Sequence, residues 1–164
     1  MLGIGLWYVG FVLFINAMWM LGKMSPKAVI PMNIFVAIVQ LGGVFKVLFV
    51  GTETGEFYGA ALTLLFTFTY LYVAATQIWN LDAKGLGWYC LPVAMIAVPT
   101  GFFSLGTPLL AILWFMWATL WFMYFLLLAL EKNIGKLTAW WTLINAIATF
   151  AGAYFTLTKI WPWW

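Results

Sequence analysis

Leu110-Ala-Ile-Leu-Trp-Phe-Met-Trp-Ala-Thr-Leu-Trp-Phe-Met-Tyr124 carries no charge, and it lies within an uncharged run, residues 85–130, of 46 residues. At 1.5 Å per residue that run would reach about 69 Å as a helix. One crossing of a hydrocarbon core of about 30 Å takes about 20 residues, so the run holds two crossings. The break between them falls at Gly101-Phe-Phe-Ser-Leu-Gly-Thr-Pro108, rich in turn residues. Outward from it, the other charge-free runs are 1–22, 28–45, 57–81 and 137–158. Each suits one crossing, the second continuing past Lys46. The expected fold is therefore an all-α integral membrane protein of six transmembrane helices, near 2–22, 28–50, 57–79, 86–103, 108–130 and 137–160. Residues 1–164 read as one such domain.

Composition agrees. Only 7% of the residues are charged and 66% are hydrophobic, where a soluble domain has roughly 25% charged residues. Met1-Leu-Gly-Ile-Gly-Leu-Trp7 has no basic start and leads into an apolar run too long for a signal peptide, so removal is not expected. Cys90 is the single cysteine and histidine is absent, so neither an intrachain disulfide nor a metal site is expected. Seven scattered lysines without arginine give no support to nucleic-acid binding. Lys23, Lys27, Lys84, Lys132 and Lys136 fall in the first, third and fifth loops, against Lys46 and Lys159 on the other side. That bias puts those three loops in the cytoplasm and both termini outside. Trp161-Pro-Trp-Trp164 reads as an interfacial anchor. Each odd-numbered helix is followed by a short turn with Gly and Lys, as if one helical hairpin had been used three times.

Within the spans, Trp114, Trp117 and Trp121 recur at i, i+3 and i+7, and Phe66 and Tyr70 at i and i+4, so each set shares a helix face. Such faces are usually packing. The sharper reading is a slot walled by flat rings, with indole N–H, the Tyr70 hydroxyl and Thr67, Thr69 or Thr119 bonding a solute along its edges. Threonine back-bonding to its own helix is the ordinary alternative. Asn16 must find a polar partner on another helix. Pro31 suits the first turn of its helix, whereas Pro92 and Pro99 should kink or break the fourth.

Every Asp, Glu and Lys falls at a span end or in a loop. Ion-driven transporters usually hold ionisable groups near the midplane, and no phosphate loop, catalytic triad or haem ligand set is present. Neither an enzyme nor a cofactor is expected. Uncoupled passage of a small, planar, neutral solute fits better than ion conduction, which needs rings of carbonyls or charges.

Leu6-Trp-Tyr-Val-Gly10, Phe14-Ile-Asn16, Pro26-Lys27, Met32-Asn-Ile-Phe-Val36, Leu64-Leu-Phe-Thr-Phe-Thr-Tyr-Leu-Tyr72, Leu81-Asp82, Trp88-Tyr89 and Trp117-Ala-Thr-Leu-Trp121 together resemble the amide/urea channel family (AmiS/UreI). The likeness runs in order along nearly the whole chain, and Asp82-Ala-Lys-Gly-Leu-Gly-Trp88 resembles its amide-permease branch. The resemblance implies three repeated hairpins around a pore in each protomer and a homo-hexameric ring with a lipid plug. It also implies a bacterial inner membrane with periplasmic termini, and a functional link to a cytoplasmic urease or amidase. Carried over by position, it puts pore constrictions at Leu6, Leu13, Phe66, Tyr70, Trp114, Trp117, Leu120 and Trp121. Asn16, Thr69 and Asn145 are further candidate polar contacts.

Three departures stand out. The family's acid-activated members carry histidine-rich outer loops, and this chain has no histidine. A family carboxylate in helix 6 is matched by Asn145, and an outer acidic residue near the start of helix 5 by Pro108. The expectation is a passive urea or short-amide channel without an acid gate. A proton-coupled amide transporter and a non-transporting membrane subunit are the rivals.

Overall fold

The computed structural model describes residues 2–159, apart from the side chain of Leu2; the aromatic tail 161–164 lies outside the described residues. It is all-helical. In chain order the helices are α1 (Leu2–Met20), α2 (Ile30–Val50), α3 (Thr54–Trp79), α4 (Lys84–Phe103), α5 (Pro108–Tyr124) and α6 (Gly135–Thr158). A 3-10 turn, Pro26–Val29, leads into α2, and a π turn, Phe125–Ala129, extends α5.

Five of these, α1 to α5 with their extensions, are long and apolar enough to cross a membrane. α6 has 24 residues, but its inner face carries Thr138, Thr142, Asn145 and Thr149, which lowers its hydropathy without placing those groups in lipid, because all are buried. The protein is a multi-pass membrane protein. Large apolar side chains such as Phe35, Phe49 and Phe103 cover its outside, as a bundle facing hydrocarbon requires.

Two boundaries differ from the sequence reading. Gly51–Glu56 is not wholly a loop: α3 begins at Thr54, where Glu53 and Glu56 form a reciprocal capping box. Carboxylates here satisfy the free N–H groups of the first turn and suit the positive end of the helix dipole. The expected break in α4 does not occur, since the helix runs through Pro92 and Pro99 from Lys84 to Phe103. Packing against α5 and its π extension, the most extensive that α4 makes, holds the segment helical across the missing N–H groups. Pro31 lies in the first turn of α2, as expected.

The helices pack most closely as α1 with α6, α2 with α3, and α4 with α5. Small residues allow the approach: a methyl on Gly10 of α1 would stand 2.7 Å from the Phe150 ring of α6. Asn16 and Asn33 tie α1 to α2 by two reciprocal amide bonds, 2.8 and 3.2 Å, so each buried amide answers the other. By contrast α1 and α3 barely touch. The seam between them is where the interior is open.

Candidate transport site

Along α1, Leu6, Val9, Leu13 and Asn16 fall on one face, and all are buried. Leu6 and Val9 line an outer cavity of about 480 Å3, together with Gln40 and Lys46 of α2 and Thr63 and Phe66 of α3. Leu13 and Asn16 line an inner cavity of about 40 Å3, with Phe66, Thr69, Tyr70 and Val73 of α3. Cys90 and Leu86 of α4, and Trp117, Leu120, Trp121 and Tyr124 of α5, complete its wall. Phe66 is the one residue that lines both spaces.

Around that ring the indoles converge. The Phe66 centroid lies 4.9 Å from Trp117, 4.7 Å from Trp121 and 5.8 Å from Trp114. Trp117 meets Phe66 nearly perpendicularly, at 85°, and meets Trp114 at 87°. Edge-to-face contacts place the positive rim of one ring against the negative face of the next. The wall is therefore an interlocked aromatic cluster rather than a stack of parallel plates. Its rings are tightly held: Trp117 is 3% exposed and Tyr70 2%.

Hydrogen bonds fix the indoles from behind. Trp117 Nε1 donates to Thr149 Oγ1 at 3.1 Å, and Trp121 Nε1 donates to Thr69 Oγ1 at 3.2 Å. The two indole N–H groups expected to face a solute are therefore already engaged by the protein. Thr69 and Thr119 each bond back to a carbonyl of their own helix, Thr67 has both Thr63 O and Gln40 Oε1 in reach, and Thr119 accepts from Trp141 at an exposed position. Tyr124 bonds Thr142 at 3.0 Å. The Thr142 hydroxyl also donates to Thr138 O, and the Tyr124 hydroxyl reaches Met20 Sδ at 3.2 Å. Among the described residues no group bonds the Tyr70 hydroxyl.

Seven of the eight constriction positions named from sequence line one cavity or the other: Leu6 the outer, Phe66 both, and Leu13, Tyr70, Trp117, Leu120 and Trp121 the inner. Trp114 is buried against Phe66 but lines neither. Asn16 and Thr69 are at the inner cavity. Asn145 is fully buried between Thr142 and Thr149 on α6; its Nδ2 donates to Trp141 O, and its Oδ1 is the one buried side-chain polar atom among the described residues without a partner. Sequence reading did not place Val9, Gln40, Val73, Leu86, Cys90 or Tyr124 at a cavity. Tyr124 was within reach of it, since it continues the Trp117–Trp121 spacing; the others depend on which helices flank the seam.

No acidic or basic side chain lines the inner cavity, and no cluster of metal-ligating side chains occurs among the described residues. A space of about 40 Å3 is large enough to admit water. Fold and site together define a multi-pass helical membrane protein whose inner cavity is aromatic-walled and free of acidic and basic side chains, with Lys46 and Glu56 lining the outer one. A profile of the AmiS/UreI family transporters matches residues 1–159, and the chain belongs to that family.

A putative amidate substrates transporter protein of Mycolicibacterium smegmatis is 40% identical over 80% of this chain, which spans 63% of that relative's length. The acid-activated urea channel of Helicobacter pylori (strain J99) is 33% identical over 91% of this chain and 93% of its own. The crystal structure of the Helicobacter pylori urea channel superposes with a TM-score of 0.89 at 32% identity, covering 98% of this chain and 99% of that one. Its cryo-electron microscopy structure in the closed state gives 0.86, also at 32% identity, over 98% of this chain and all of that one.

Proposed function

We propose that the protein is an inner-membrane channel for passive, bidirectional movement of urea and short aliphatic amides, without an acid gate and without enzymatic activity. The observation that carries this reading is the pair of cavities beside α1 and α3 that share Phe66, the inner one lined by no Asp, Glu, Lys or Arg. A carrier coupled to protons or sodium would need a charge to move between states. Neutral planar solutes need only a shape that excludes bulk and a few hydrogen bonds that replace water.

In this reading Leu6 narrows the outer part, and Leu13, Tyr70, Leu120 and the Trp117–Trp121 pair set the inner width. Trp114 buttresses Phe66. Asn145, bonded only within α6 among the described residues, stands behind the wall rather than touching solute. The helices form three repeats of a hairpin; close and looser neighbours alternate three times around the bundle, which supports that symmetry. Residues 1–164 make one pore domain, both termini are periplasmic by the lysine bias, and protomers assemble as a homo-hexamer. A cytoplasmic urease or amidase consumes the solute and keeps the inward gradient.

The test is solute flux in liposomes holding purified protein. Urea and acetamide permeability should exceed that of protein-free vesicles, rise linearly with concentration and persist when the proton gradient is collapsed. Saturation at low concentration or dependence on the gradient would instead mark a carrier. Flux equal to that of protein-free vesicles would mark a non-transporting subunit.

A further inference from the structure

Gln40 is 5% exposed and lines the outer cavity. It belongs to the inward face of α2 that also carries Asn33, Val36 and Val44. Its Oε1 lies 3.1 Å from the hydroxyl of Thr67, itself fully buried on α3 beside Phe66. That hydroxyl has one proton and two acceptors in reach, the second being Thr63 O at 3.0 Å. The Thr63 carbonyl already accepts the helical N–H of Thr67, whereas no other group among the described residues bonds Gln40. The proton is therefore best placed on Gln40 Oε1. The amide is then pinned by its oxygen, and its NH2 is left without a protein partner at a cavity wall.

An amide N–H kept from both water and protein is costly, so whatever fills this part of the cavity is drawn to it as an acceptor. From this geometry we infer that Gln40, oriented by Thr67, is a specificity residue that donates a hydrogen bond to the carbonyl oxygen of a urea or amide solute before it reaches Phe66. The inference rests on the channel reading above and names one polar contact within it. Carbonyl oxygen accepts such a bond well; the sulfur of a thiocarbonyl of nearly the same shape accepts it poorly.

Liposomes holding wild-type protein, Gln40→Met or Thr67→Val, each first checked for unchanged assembly by size exclusion, would be assayed with urea and thiourea. Wild type should favour urea. Gln40→Met, which keeps the length of the side chain, should lower urea permeability about fivefold, the factor one net hydrogen bond contributes, and leave thiourea nearly unchanged. Thr67→Val frees the amide to turn and should erode the urea preference part-way. Equal losses for both solutes, or no change in either, would overturn the inference and reduce Gln40 to a tie between α2 and α3. If wild type conducts neither solute above protein-free vesicles, the channel reading falls, and this inference with it.

Discussion

The Tyr70 hydroxyl sits at the wall of the inner cavity without a protein partner among the described residues, whereas the neighbouring Trp117 and Trp121 N–H groups are already bonded. Tyr70→Phe therefore removes a group that supports passage rather than fold. Urea permeability should fall by roughly threefold, while thermal stability in detergent shifts by less than about 0.5 kcal/mol; a large stability loss with unchanged flux would assign the hydroxyl to the fold. At this scale much was legible. A period of 3.6 placed Trp114, Trp117 and Trp121 on one face, and an amide in a span implied that Asn16 has a partner. The partner's identity, Asn33, was not legible, because 17 residues and a turn separate the two. Nor was the fate of the indole N–H groups, which depends on threonines 32 and 52 residues away.

Between elements, the Asn16–Asn33 pair offers a clean measurement because each amide both gives and receives a bond. Replacing either by Leu leaves the other buried and partly unanswered, so the double variant should lose less stability than the sum of the two singles. A double-mutant cycle followed by unfolding in mixed detergent should return a coupling of about 0.5–2 kcal/mol; additive losses would mean that the pair contributes nothing specific. Helix existence was readable because charged residues mark span ends so sparsely. Misread ends have local causes: Glu53 and Glu56 look like a loop but cap α3, and the prolines of α4 look like breaks but are carried by packing. The seam itself was not readable, since it follows from α1 and α3 standing apart, which no spacing within either helix encodes.

For the whole molecule, the chain lacks histidine, the side chain that naturally titrates between pH 5 and 8. Urea flux should therefore stay nearly constant across that range; a steep rise on acidification, measured with the same pH on both sides of the vesicle, would reveal a gate of another kind. The account rests on solute passing beside the cluster of Phe66, Trp117 and Trp121 that walls the inner cavity. Its most direct test is the permeability of Trp117→Ala vesicles to urea and to a longer amide such as butyramide, beside wild type. Trp121 and Trp114 still pack on Phe66 in that variant, so assembly should survive, and the longer amide should gain severalfold relative to urea. An assembled variant with the same urea flux and the same size cut-off as wild type would show that the indole only packs and that solute does not travel beside it.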